Sequence, residues 1–420
     1  MRLRGRPPRI RWTVMWVLAL VLTALSSSSV KGQRPNAVVK LHAEGVGLLR
    51  QGDLQGAARK FRAAIRLDPG NADAHLDLGR VLLASDSLDA AIEEFETAAK
   101  LRPHAIQPHL MLGRACQRKG AASSALREYR EVLKLQPNNA EAHNGVGLVL
   151  VQRHDPDGAL RELRKAVELA PQSGEFHNNL GVMLASAAHQ DEALREFRRA
   201  IALDKGLCDA YNNLGVGFQE SGDLAGAIQQ LRAAKQCQPR DSQARYNLGL
   251  ALQQSGKLDE AIAEFRAAAQ LDPANAQAHF NMGRALAKQG DAAGAEEEFS
   301  RFHALQKAAQ AGTANAHVKR GLDFARQGRM AEAIKEYDAA LTINPDLPEA
   351  HWALGQAKQA MGQLEAAIRE FREAIRLQPE FAEAFYDLGL ALEQQGDRQA
   401  ANQAFRSAHE LGAGLKPTER

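Results

Sequence analysis

Seven histidines, His75, His109, His143, His177, His279, His317 and His351, recur at 34 residues or multiples of 34, apart from one step of 38. Imidazoles at fixed spacing are the raw material of metal centres and proton relays. A shared metal fails on geometry. If each 34-residue stretch is one stacked unit, equivalent side chains lie about 16–20 Å apart, whereas zinc holds its ligands at about 2 Å. No metal or other cofactor is expected, and the imidazole reads as a small, flat packing group with one polar edge. Nor does the spacing bring together a Ser, His and acid set or a carboxylate pair, so no catalytic residue is expected.

A second set is made of amides. Asn179, Asn213, Asn247 and Asn281 stand 34 residues apart, each before Leu-Gly or Met-Gly. A carboxamide donates to a peptide C=O and accepts from its N–H, so a row of them can hold a peptide backbone without reading its side chains. Beside them run the aliphatic Leu148, Val182, Val216 and Leu250, with Arg80, Arg114 and Arg284 on either side. The expected peptide-binding strip is apolar and amide-lined in the middle and basic at its ends. The alternative is that these asparagines only hydrate the surface.

The elements that must position these residues are read from 242–275, SQARYNLGLALQQSGKLDEAIAEFRAAAQLDPAN, taken as positions 1–34 of a frame. Leu248, Leu252, Ile262, Phe265, Ala269 and Leu271 fall mainly at spacings of three, four and seven, which predicts two amphipathic helices with a turn at Gly256. Small residues at position 8 (Gly249) and position 20 (Ala261) let the two axes approach, Phe265 at position 24 fills the space beside them, and Pro273 at position 32 stops the second helix. Position 8 is glycine eleven times, from Gly45 to Gly389, with 38 rather than 34 residues between Gly283 and Gly321. Each hairpin is apolar on more than one face and must stack on its neighbours, which predicts an all-α solenoid of antiparallel helix pairs.

The glycine, the Ala-x3-Phe step and the closing proline resemble the tetratricopeptide repeat, over nearly all of 38–415. The resemblance implies a right-handed superhelix whose inner wall carries positions 2, 5, 6, 9 and 12 of each first helix. The Asn row is similar to that in the repeat domain of O-linked N-acetylglucosamine transferase, where such asparagines hold an extended peptide. In this frame Cys208 and Cys237 occupy positions 1 and 30 of one repeat, at the same end of its hairpin. In an oxidising compartment they form a candidate disulfide closing a loop of about 30 residues, worth about 3 kcal/mol; otherwise they are two small packed residues. Cys116, at position 11, reads as a buried free thiol.

Residues 1–37 are different material. Arg2, Arg4, Arg6, Arg9 and Arg11 precede an uncharged run from Trp12 to Leu25, then Ser26 to Ser29, Val30, Lys31 and Gly32. This predicts a cleaved signal peptide with a short linker, because a membrane span needs about 20 apolar residues; an uncleaved N-terminal anchor is the alternative. Six of the 53 basic residues and none of the 50 acidic ones precede Gln33, which leaves 47 against 50, a net −3. The basicity of the whole chain is thus an export feature, and no basic patch argues for nucleic acid.

The eighth repeat resembles a C-terminus. Charges at position 7 mark leading faces, Glu44 in the first repeat and Arg320 in the ninth, while polar residues at positions 21 and 28 mark trailing ones, Glu296 and His303 in the eighth and Asn402 and His409 in the eleventh. The expected organisation is a stack of eight repeats over 38–309, a junction at 310–313 within a hinge of about 307–316, a stack of three over 314–415 and a tail at 416–420. The competing reading is one continuous stack in which Glu296 pairs with Arg320 and the four extra residues add about one helical turn.

The expected function is a non-enzymatic protein–protein interaction scaffold, secreted or periplasmic, that binds extended or helical segments of other proteins or peptides and touches membrane only through an uncleaved N-terminus. The alternatives are an accessory to glycan or peptidoglycan processing that lends its groove to a catalytic enzyme partner, a hydrolase of unknown type, or a structural spacer.

Overall fold

The computed structural model describes residues 36–412. They contain 21 α-helices and no strand. Two compact units divide at Pro239/Arg240. The first unit holds α1 (36–50), α2 (Leu54–Leu67), α3 (Ala72–Ala84), α4 (Leu88–Leu101), α5 (Ile106–Arg118), α6 (Ala122–Leu135), α7 (Ala140–Gln152), α8 (Pro156–Leu169), α9 (Gly174–Ser186), α10 (Gln190–Leu203), α11 (Cys208–Glu220) and α12 (Leu224–Cys237). The second holds α13 (Ser242–Gln254), α14 (Leu258–Leu271), α15 (Ala276–Gln289), α16 (Ala292–Arg326), α17 (Met330–Ile343), α18 (Pro348–Ala360), α19 (Leu364–Leu377), α20 (Ala382–Gln395) and α21 (Arg398–Glu410). Within each unit consecutive helices pack as hairpins, and each hairpin packs on the next.

The packing rests on the small residues the frame singles out. A methyl group on Gly249 would come within 2.6 Å of the Phe265 ring, so the two helices close to this distance only with hydrogen at that position. The alanines at position 20, Ala57 through Ala401, are all buried. Phe61, Phe95, Phe265 and Phe371 at position 24 are fully buried, as are Tyr129 and Tyr337. Gly256 turns the chain with φ +80°, where a side chain is strained.

Helix α16 departs from the expectation. It runs 35 residues without interruption, so the expected junction at 310–313 is helical throughout. Its first half pairs with α15 as the second helix of the eighth repeat, and its second half pairs with α17 as the first helix of the ninth. Position 32 of the eighth repeat is Lys307 rather than proline, and the residues that follow are mostly alanine and glutamine, so nothing stops the helix. Arg320 pairs with Glu336 at 3.1 Å rather than with Glu296, which is exposed.

The eighth repeat is nonetheless finished like an end. Phe299 and Phe405, in the eighth and eleventh repeats, are only half-buried at position 24. Phe302 stands at position 27, where nine repeats have alanine and one valine. Its ring packs 5.1 Å from Phe280 and 5.2 Å from His303, and Phe280 lies 5.8 Å from Phe299. A self-packed aromatic cluster thus closes a face that elsewhere receives the next repeat.

Candidate functional site

The seven histidines are not isolated packing groups. Each Nδ1 faces a carboxylate oxygen 19 residues downstream, on the second helix of its own hairpin. The pairs are His75–Glu94 (2.5 Å), His109–Glu128 (2.8 Å), His143–Glu162 (2.6 Å), His177–Glu196 (2.5 Å), His279–Glu298 (2.6 Å), His317–Glu336 (2.8 Å) and His351–Glu370 (2.7 Å). In five of them Nε2 also donates to the carbonyl of the proline closing the preceding repeat, as from His351 to Pro345 at 3.0 Å. One ring therefore ties the two helices of a hairpin to each other and to the repeat before.

The sequence does carry the signal for this pairing. Wherever position 23 is Glu, position 4 is His or, once, Arg245, which bonds Glu264 at 3.2 Å. Where position 4 is Leu41, Tyr211 or Phe385, position 23 is Lys60, Gln230 or Ala404. The two positions change together because they touch.

The amide row also has partners already. Asn179 donates to Asn144 (3.0 Å), Asn213 to Asn178 (3.1 Å) and Asn281 to the Tyr246 hydroxyl (3.0 Å), each 35 residues back. His42–Asp77 (3.0 Å) and Trp352–Asp387 (2.7 Å) repeat the link with other chemistry. Asn247 accepts from Gln243 at 2.9 Å. At Asp77, Asn179, Asn213, Asn281 and Asp387, position 6 thus joins its first helix to that of the preceding repeat within the same unit. Asn247 and Asn281 are buried, and Asn179 and Asn213 are half-buried.

Of the aliphatic strip, Val182 is 44% exposed and Leu148 and Val216 are half-buried in the first unit, while Leu250 is half-buried in the second. Val151 adds a further exposed apolar group to the first unit. The flanking arginines are engaged: Arg80 with Asp77 (2.9 Å), Arg114 with Glu141 (3.2 Å), and Arg284 over the Phe280 ring.

Cys208 opens α11 and Cys237 ends α12; they are joined by a disulfide with Cα atoms 5.5 Å apart. Cys116 is a buried free thiol, and burial pushes its pKa up. Among the described residues no three His, Cys, Asp or Glu side chains are grouped to hold a metal.

Tetratricopeptide repeat family models match residues 42–106, 110–171, 147–207 and 383–410, and a TPR repeat model matches 253–290, 321–362 and 359–396. No curated protein matches the chain. Similar solved structures include a tetratricopeptide repeat protein from Parabacteroides merdae, 17% identical over 60% of this chain and 99% of that one, with a TM-score of 0.49. MamA is 30% identical over 40% of this chain and 97% of its own, TM-score 0.35. YrrB, described as a TPR protein with an unusual peptide-binding site, is 27% identical over 44% and 96%, TM-score 0.34. Matched along most of its length, and built of helix pairs in one recurring register, the chain belongs to the tetratricopeptide repeat family.

Proposed function

We propose that this chain is a non-enzymatic scaffold that captures extended segments of partner proteins outside the cytoplasm. The observation that carries the reading is the row of aliphatic side chains at position 9 of the first unit, centred on the exposed Val182. Apolar groups on the first-helix wall, beside half-buried amides, suit an extended chain with alternating apolar side chains. Engaged amides still keep lone pairs for a peptide N–H.

Export is supported by the basic, apolar and small-residue order of the N-terminal segment, which lies outside the described residues up to residue 35, and by the Cys208–Cys237 bond, which suits an oxidising compartment. Crosslinking from a photoreactive residue at Val182 in cells, compared with one at the exposed Arg161 on α8, tests the wall. The reading requires partners trapped from Val182 that are absent from Arg161; identical adducts from both positions overturn it. N-terminal sequencing of protein from the non-cytoplasmic fraction tests export, with a start near Gln33 expected and an intact Met1 favouring the anchor.

A further inference from the structure

A cavity of about 570 Å³ opens between α14, α15 and α16, on the second-helix side of the seventh and eighth repeats and away from the first-helix wall. His279 lines it. Its Nδ1 is held by Glu298 at 2.6 Å, and the residue is 91% buried, with 9% of its surface accessible. Its Nε2, however, has no hydrogen-bond partner among the described residues, whereas His75, His109, His143, His177 and His351 all give theirs to a proline carbonyl. Pro273, the corresponding proline, is present and lines the same cavity. Among the described residues no buried side-chain nitrogen or oxygen lacks a partner, so this Nε2 is accessible and available to a group that enters the cavity.

The rest of the lining indicates what that group would be. Arg266 and Gln270 stand on α14, both exposed, and Arg266 makes no ion pair among the described residues. Arg301 on α16 also lines the space and is bonded to Glu297 and more loosely to Glu298 (3.5 Å). Met282 and Leu305 supply apolar wall. Glu298 is thus shared by His279 and Arg301, and Arg301 is further held by Glu297, which leaves the Arg266 guanidinium, among the described residues, as the unpaired charge beside the His279 ring. Guanidinium groups match a carboxylate in shape and charge, and the apolar wall accommodates a short aliphatic body.

We propose that this cavity is a binding site for a carboxylate attached to an aliphatic group. The carboxylate accepts from Arg266 and from His279 Nε2–H, with Glu298 holding the ring from its other side, and the aliphatic part lies against Met282 and Leu305. Both a free medium-chain carboxylic acid and the C-terminus of a peptide ending in an aliphatic residue have this chemistry. The proposal is independent of the first-helix wall, and the two can fail separately.

Octanoate titrated calorimetrically into the full chain is the direct test, with octanol and acetate as companions and a short Leu-terminated peptide, free and amidated, as a second arm. Saturable binding of octanoate or the free-acid peptide is expected, tighter than that of octanol or the amidated peptide; whichever carboxylate binds tighter identifies the source. Arg266→Gln, on the exposed rim, weakens the carboxylate about tenfold while leaving octanol unchanged. His279→Gln tests the ring; should it fold poorly, Gln270→Trp, which crowds the exposed rim, takes its place with the same loss expected. Equal binding of octanoate and octanol, indifference to Arg266→Gln, or no saturable binding of either carboxylate overturns the proposal.

Discussion

His351 Nδ1 lies 2.7 Å from Glu370 Oε2, and Lys358 Nζ lies 2.7 Å from the other oxygen of the same carboxylate. The acid on α19 is thus gripped by two groups from α18, and the imidazole is gripped in turn by Pro345. Burial alone pushes the His351 pKa down, but the Glu370 hydrogen bond and the Pro345 carbonyl outweigh it and hold the imidazole above its ordinary value. For Glu370 burial pushes upward, and the His351 and Lys358 bonds outweigh it and hold the acid below its ordinary value. Glu373, which also favours the charged ring, is itself paired with Arg376.

The signs give a stability window. A raised His351 contributes stability that is present below the ordinary histidine value of about 6.5 and lost as pH rises through the folded value. A lowered Glu370 contributes stability that is present above about 4.3 and lost as pH falls through its folded value. The pair therefore holds best between about pH 4.5 and 6.5. Thermal melts of wild type and His351→Gln across pH 4–9 should differ most inside that window and converge on its alkaline side. Glu370→Ala, which strands both partners, should cost about 2 kcal/mol near pH 6. A wild-type-minus-variant difference that does not change with pH would remove the charged pair from the account.

The amide row makes a separate prediction. Asn213 donates to Asn178 across two repeats, so Asn213→Ala removes a bond and strands an acceptor; a loss of about 1 kcal/mol is expected in chemical denaturation. If the row also holds a peptide, a captured ligand should weaken by a further factor beyond that stability loss, whatever its side chains. Unchanged stability would mean that the inter-repeat bond contributes nothing.

How much of this was legible in the sequence depends on the range of the interaction. Gly249 and Phe265 are 16 residues apart in one hairpin, and their sizes alone dictate the close approach that the structure has. The His–Glu pairs were equally local, but a charged residue on a helix reads by default as a solvated face, and only the joint change at positions 4 and 23 betrays the contact. The partners of the asparagines were harder to see, because Asn213 and Asn178 meet only when repeats stack, and an amide facing a neighbour has the same sequence signature as one facing a ligand. The open Nε2 of His279 has no signal in the sequence, since Pro273 is present there as in its sister repeats.

The disulfide is testable without a ligand. Cys208 and Cys237 are 29 residues apart and close the ends of the α11–α12 hairpin, so replacing both with alanine should cost about 3 kcal/mol, and reductant should lower the wild-type melting temperature toward that of the variant. Mass mapping of non-reduced protein from its native compartment should find the two thiols joined and Cys116 alkylated only after unfolding. Two free, alkylated thiols in that sample would exclude the bond.

The junction at 310–313 sets two expectations against each other. Polar groups at Glu296 and His303 and the aromatic cluster around Phe302 finish the eighth repeat as an end, which favours two stacks that move apart. Yet α16 passes through the junction as one helix, and residues 306–310 are exposed along it, so its integrity there rests on backbone hydrogen bonds and helix propensity more than on packing. Such a helix should resist cleavage while remaining easy to break. Limited proteolysis of the wild-type chain should therefore spare 307–316, whereas Gly312→Pro, which costs about 3 kcal/mol in a helix interior and packs against nothing, should create a cleavage site there and yield two fragments that melt independently. Rapid cleavage of the wild type near Thr313 would show that the helix opens on its own and that the segment is a hinge. Resistance of the proline variant would show that contacts other than α16 hold the eighth and ninth repeats together.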